Sequence, residues 1–249
     1  MREFLHTHKN SSYIGFQEFP KNVSDELYNI FDQFGFSIEK NSKSVKTAIN
    51  KKKKKDVDNV TQTFMNDSDT EEDDIENGNI DVIFDKVNQS IFINVYIPNG
   101  ISGRFGCPEK TIEKLYNILM DISIPTKQNI VLFGDLNVPL WDGILNNSAT
   151  PNWCSYEQKL YKRKISEKIR HSLMKKAHLE DTGAHNNLHT TFGGTRKNTA
   201  RIDYFLSNMP GFTYVDSNNY GSQHKAITCY VLNTCIKENN IWSVMDAMS

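Results

Sequence analysis

Residues 130–133, Ile-Val-Leu-Phe, are apolar at every position, and the run stops at Gly134. An apolar segment of strand length has no polar face to offer water, so a sheet that contains it is covered on both sides. The chain therefore needs a layered architecture. Beyond Gly134 it presents Asp135 and Asn137, two residues apart. In an extended segment such a pair points the same way, so a carboxylate and a carboxamide leave the end of a buried strand together. That pair suits a hard metal ion and a phosphate oxygen.

Two other apolar runs end similarly. Ser12 to Glu18 delivers Glu18, and Ala200 to Leu206 carries Asp203, while His224 follows in Gly221-Ser-Gln-His-Lys225. Glutamate, aspartate, asparagine and histidine on separate strands are the parts of a metal-assisted phosphodiesterase.

Periodicity places the remaining elements. Arg2 to His8 reads as a helix and Tyr13 to Phe16 as a strand, with a second helix from the N-cap Ser24 through Phe31 and an apolar stripe of Leu27, Ile30, Phe31 and Phe34. Residues 80–84 and 91–97 read as a hairpin. Residues 108–120 carry helical spacing between two strands, as a crossover helix would, and a further helix spans roughly 156–177. Shorter strands are expected near Thr190 and over 202–206 and 226–231. Strands mixed with outer helices predict an α/β sandwich of two sheets.

Residues 39–80 break this pattern. They hold 8 of the 29 basic and 10 of the 30 acidic residues, including Lys51 to Lys55 in one run. Such composition buries too little surface to offset the entropy of ordering, so the segment is expected to be a disordered insertion. The lysine run reads as a solvated tract, with nuclear import or DNA attraction the minority reading. The folded domain then comprises residues 1–38 and 81–235, followed by a tail at 236–249.

The 21 basic and 20 acidic residues outside the insertion neither demand nor forbid a nucleic-acid partner. Tyr161 to Lys176 is the richest basic stretch. Cys107, Cys154, Cys229 and Cys235 show no CxxC spacing and read as reduced thiols in an intracellular protein, nuclear or cytoplasmic. No run is long and apolar enough to span a bilayer, so no membrane partner is expected.

The ordered set Gln17-Glu18, Asn94-Val-Tyr-Ile-Pro-Asn99, Gly134-Asp-Leu-Asn137, Thr191-Phe192, Arg201-Ile-Asp-Tyr204 and Ser222-Gln-His224 resembles the endonuclease/exonuclease/phosphatase superfamily. The similarity is closest to abasic-site endonucleases and the endonuclease domains of non-LTR retrotransposons. The resemblance implies a four-layer α/β sandwich of the deoxyribonuclease I-like type with the site at one end of the sheets. It also implies an enzyme, a Mg²⁺- or Mn²⁺-dependent phosphodiester hydrolase acting on DNA.

By the same resemblance Glu18 would hold the metal, Asp135 would orient or deprotonate the attacking water, and Asn137 would hold the scissile phosphate. Tyr96 would donate to a phosphate oxygen, and Asp203 would fix the tautomer of His224 so that the imidazole stabilises the pentacoordinate phosphate. Asn99, Thr191 and Arg201 would contact substrate; for Arg201 a surface salt bridge is the competing reading.

Two departures from the pattern predict weakened metal binding and reduced or lost catalysis. Family members begin with an asparagine-bearing strand before the helix leading to Gln-Glu, and this chain starts inside that helix. Gln223 stands where aspartate is usual. A non-catalytic interaction module of the same fold is therefore the alternative, with a phosphatase or lipid phosphodiesterase the third reading.

Overall fold

The computed structural model describes residues 1–20, 23–41, 43–60, 79–99, 107–126, 128–140, 156–184, 190, 201–218, 220 and 222–232. Its strands in chain order are β1 (Tyr13–Phe16), β2 (Phe36–Ser37), β3 (Lys46–Asn50), β4 (Val57–Asn59), β5 (Ile80–Asp85), β6 (Ser90–Tyr96), β7 (Asn129–Asp135), β8 (Glu180–Asp181), β9 (Asp203–Ser207), β10 (Gly211–Val215) and β11 (Ile227–Val231). The helices are α1 (Arg2–Thr7), α2 (Asp25–Gln33), α3 (Pro108–Thr126) and α4 (Tyr156–Lys168), the last continuing as a π-helix over Ile169–Lys175.

A six-stranded sheet, ordered β4-β5-β6-β7-β9-β8, forms the centre. The apolar run of β7 divides as its composition demands. Ile130 and Leu132 enter the main core with Ile112, Leu115, Leu119, Ile165, Ile169 and Leu173 from the helices. Val131 and Phe133 enter a separate cluster on the other face with Met209, Phe92, Phe205 and Val231. Each fully buried side chain of this size contributes roughly 1.5–3 kcal/mol of transfer free energy, so both coverings stabilise the strand.

On that second face lie two smaller sheets, β1-β3-β2 packed through β1 onto β7, and β10-β11 packed through β11 onto β9. Leu5 of α1 and Phe31 of α2 cover the outer side of β1-β3-β2, meeting Ile14, Phe19, Phe36 and Ala48. The order is helix, sheet, split sheet, helix, which is the four-layer sandwich expected.

Hydrogen bonds between buried polar groups fix the layers in register. Asn94, fully buried on β6, accepts from Gln17 Nε2 at 2.6 Å and donates to the Lys46 carbonyl at 2.9 Å. Tyr13 donates to Asp85 at 2.6 Å. Gly15 allows the approach, because a Cβ there would lie 2.4 Å from the Phe133 ring.

The expectation of a disordered insertion over 39–80 requires correction. Residues 46–50 form β3, the central strand of its sheet, and 57–59 pair with β5. Val45 and Ala48 are fully buried. Composition misleads here because a lysine need not be solvated. Lys46 is buried and donates its ammonium to the Tyr28 hydroxyl and to the carbonyls of Glu39 and Asn41 at 2.7–3.1 Å. In the lysine run Lys51 pairs with Asp32, and Lys54–Asp56 make one 3-10 turn between β3 and β4. Residues 61–78 and the tail from 236 lie outside the described residues.

Smaller differences have local causes. The strand expected near Thr190 is not among the described elements, and β8 fills the sheet edge instead. Strand β10, unassigned from sequence, pairs with β11 along its whole length. Ser24 has extended backbone at the start of α2, yet its side chain makes no capping hydrogen bond. Among the described residues no helix is long and apolar enough to cross a membrane, and Cys107 and Cys229 are free thiols.

Candidate active site

The site lies where β1, β6, β7 and β9 end together. Parallel pairing of β6 with β7 sets Tyr96 opposite Asp135, and antiparallel pairing of β7 with β9 sets Asp203 opposite Asp135 on its other side. Gly134 permits this register. It has φ +143°, and a Cβ there would sit 1.9 Å from the Val95 carbonyl oxygen.

Alternation along β1 directs Tyr13, Gly15 and Gln17 toward the six-stranded sheet and would direct Glu18 away from it. Glu18 has φ +52°, however, which breaks the strand and brings its carboxylate to the Tyr96 hydroxyl, 2.7 Å away. Asn137 likewise has φ +55°. Left-handed backbone at two non-glycine residues is strain that the surrounding structure holds in place.

Asn137 has its N–H donated to Asp135 Oδ1 at 2.8 Å and its amide donated to the Ile97 carbonyl at 2.9 Å, so it both closes a turn and faces the site beside Tyr96. Tyr96 belongs to the site face of β6 with Phe92 and Asn94, not to the helix-side core. Its proton goes to Glu18, so the hydroxyl holds that carboxylate. Burial and the Glu18 carboxylate raise the Tyr96 pKa, so the phenol keeps that proton.

Asp203 accepts from His224 Nδ1 at 3.0–3.1 Å through both carboxylate oxygens. Burial alone would lower the His224 pKa. The hydrogen bond and charge of Asp203, with Asp135 and Glu18 behind it, raise it to about 9. The imidazolium form therefore dominates at neutral pH. Burial and the facing Asp203 push the Asp135 carboxyl well above the ordinary carboxylate range, against the pull of His224 and the Asn137 N–H.

Ligand atoms of Asp135, Asp203 and His224 lie within 4.8 Å of one another, and Glu18 lines the same groove. A hard divalent cation fits this donor set of carboxylate oxygens, and it would relieve the repulsion that raises the Asp135 pKa.

The outer substrate residues fare differently. Arg201 is buried and forms a bidentate pair with Asp181 at 2.6 and 2.8 Å, its guanidinium stacked 4.6 Å from the Tyr204 ring centroid. It braces β8 against β9 and is not placed for the expected substrate contact. Asn99 is half-buried just past β6, and Thr191 lies outside the described residues. The basic stretch 161–176 lies away from this site, because Ile165, Ile169 and Leu173 anchor it to the face of the sheet opposite Asp135.

Two positioning residues escaped the sequence reading. Thr190 Oγ1 accepts from the N–H groups of Ile202 and Asp203 at 3.1–3.2 Å and so fixes the start of β9. Asn94 holds Gln17, next to Glu18. An asparagine inside an apolar strand was the available signal for Asn94, whereas nothing in sequence marks Thr190.

No protein-family model and no curated protein sequence matches the chain. Solved structures do. An AP endonuclease from Archaeoglobus fulgidus superposes with a TM-score of 0.62 at 17% identity, covering 93% of this chain and 92% of that one. A 3′ phosphatase from Neisseria bound to a product DNA hairpin gives 0.61 at 18% identity, with 92% and 93% covered. A 3′-5′ exonuclease from Neisseria meningitidis gives 0.61 at 16% identity, with 92% of each chain covered.

The chain shares the fold of these three structures, a four-layer α/β sandwich of the deoxyribonuclease I-like type. The sheet over β7 and β9 is split, and a groove of about 820 Å³ runs from the carboxylates between β1 and β11.

Proposed function

We propose that the protein is a divalent-metal-dependent phosphodiester hydrolase acting on DNA, with the nicking chemistry of an endonuclease. The observation that carries this reading is the convergence of Asp135, Asp203, His224 and Glu18 at one end of a groove, from four separate segments.

Glu18, assisted by the carboxylates beside it, would hold Mg²⁺ or Mn²⁺, whose charge would neutralise a phosphate oxygen. Asp135, at the exit of β7 opposite Asp203 and beside Tyr96, is placed to take a proton from water. Asp203 orients the imidazole and keeps it protonated, leaving Nε2 to hydrogen-bond the charged phosphate as it gains negative charge. Asn137 offers its amide to the phosphate, and Tyr96 holds Glu18 in place.

A phosphatase is the second reading, because one protein of similar structure is a 3′ phosphatase and the same residues suit either ester. The test uses supercoiled plasmid, a duplex with one abasic site and a duplex with a 3′-phosphate end, each with Mg²⁺ and with chelator. Metal-dependent nicking that disappears in His224→Ala supports the endonuclease. Phosphate release alone supports the phosphatase. A folded protein with no divalent affinity and no cleavage would leave the interaction module.

A further inference from the structure

The outer surface of the β10–β11 pair is apolar and open. Alternation along the two strands sends Thr213, Cys229 and Val231 inward, where Thr213 is buried and Val231 packs with Phe133 and Met209. Phe212, Tyr214, Thr228 and Tyr230 therefore point outward, with Phe212 directly opposite Tyr230 in the ladder. The Tyr214 and Tyr230 rings stack with centroids 6.0 Å apart. Leu232 continues the ladder by donating its N–H to the Pro210 carbonyl at 2.9 Å. Tyr230 is 57% exposed, Leu232 48% and Phe212 44%, so three of the seven exposed large hydrophobic side chains among the described residues share this one surface. Helices α1 and α2 cover the neighbouring sheet β1-β3-β2, but among the described residues no hydrophobic cluster takes in Tyr214, Tyr230 or Leu232.

We propose that residues 240–249 of this chain dock on that surface as an amphipathic helix and complete the outer layer over β10 and β11. The described residues run up to Leu232, which lies on the surface itself, and 233–249 follow directly. In that segment Ile241, Val244, Met245 and Met248 share helical spacing, Trp242 borders their stripe, Ser243 and Asp246 fall opposite, and Asn240 is a favoured N-cap. A helix over 240–249 is about 15 Å long, a match to the five-residue strands β10 and β11, which measure roughly 17 Å. Residues 233–239 reach at most about 25 Å, enough to turn back over a pair of that length. Methionine suits an aromatic surface, because its thioether makes favourable contacts at ring edges. So short a helix is marginal alone in water, so docking and helix formation are one event. A separate partner would have to displace a segment tethered at an effective concentration of order millimolar.

Amide exchange of the full chain reads the helix without any substitution. Amides of residues 245–248, past the helix start where N–H groups lack intrahelical acceptors, should exchange at least about tenfold slower than in a free peptide of residues 233–249. Hydroxyl-radical labelling reads the surface. Tyr230 should label several-fold slower in the native chain than in the full-length chain carrying Trp242→Ser and Met245→Ser, and Trp242 should become more reactive in Tyr230→Lys.

Free-peptide exchange rates at 245–248 overturn the proposal, and so does equal labelling of Tyr230 in the native and doubly substituted chains. Protection that grows with protein concentration, with dimer by sedimentation, assigns the surface to a second copy and overturns it as well. None of these readouts depends on cleavage, so the proposal fails or stands apart from the proposed hydrolase activity.

Discussion

Asp135 and Asp203 stand directly opposite one another in the antiparallel β7–β9 ladder, both nearly buried and both on the face away from the helices. Like charges directly opposite in a sheet destabilise it. The arrangement persists because His224 supplies positive charge to Asp203 from one side. A pair that weakens the fold is what a binding site for a cation requires in the absence of the cation.

Asp135→Asn should therefore stabilise the metal-free protein while removing its proposed base. The Oδ1 acceptor for the Asn137 N–H survives this change. We expect a gain of about 1 kcal/mol, or roughly 2–4 °C in Tm, together with at least a hundredfold loss of any nicking. Calorimetry in chelator and the plasmid assay check the two halves, and a fall in Tm would mean that the carboxylate pair is not repulsive.

The His224 pKa of about 9 lies above its unfolded value of about 6.5. Its pairing with Asp203 thus adds stability that is complete below about pH 6.5, declines as pH rises, and is gone above about 9. The difference in unfolding free energy between the native chain and His224→Gln, measured from pH 6 to 10, should shrink along that curve. A ring titration by NMR with its midpoint near 6.5 would remove the basis of this expectation.

Gly134→Ala places a Cβ against the Val95 carbonyl at a φ that alanine avoids. The strain alone is worth about 1–3 kcal/mol, and the clash adds to it by forcing β7 away from β6. Urea unfolding should show a loss of at least 3 kcal/mol. Preserved stability would show that the register of Tyr96 with Asp135 does not depend on this glycine.

Breaking the Arg201–Asp181 pair with Arg201→Met leaves a buried carboxylate without its cation. The expected loss is about 3–5 kcal/mol, and pairing the change with Asp181→Leu should restore most of it. The affinity of the folded fraction for a DNA duplex should stay the same. A drop in affinity at unchanged stability would return Arg201 to the substrate contact expected from sequence.

Gln223→Asp adds a carboxylate beside His224, where Gln223 is exposed. Manganese affinity, read by titration calorimetry, should rise about three- to tenfold, equivalent to ~1 kcal/mol of added attraction. Unchanged affinity in a folded protein would argue against weakened metal binding from this position.

Sequence alone determined the parts that follow from local pattern. The apolar run 130–133 required a strand covered on both faces, and β7 divides its residues between two cores accordingly. The spacing of Asp135 and Asn137 was likewise legible, because alternation along an extended chain fixes which side chains share a face, and the strand-end positions of Glu18 and Asp203 followed from the apolar runs that carry them.

Tertiary structure decided whatever depends on residues distant in sequence. Lysine is read from composition as solvated, yet Lys46 is buried because Tyr28, Glu39 and Asn41 bring three acceptors to its ammonium. Alternation alone pointed Glu18 away from the site, and only its left-handed backbone and the Tyr96 hydroxyl turned it back. Arg201 could not be separated from a substrate ligand until Asp181 was found beneath it. In each case the deciding partner lies on another element of the fold, and burial makes its hydrogen bond or charge outweigh the intrinsic preference of the residue.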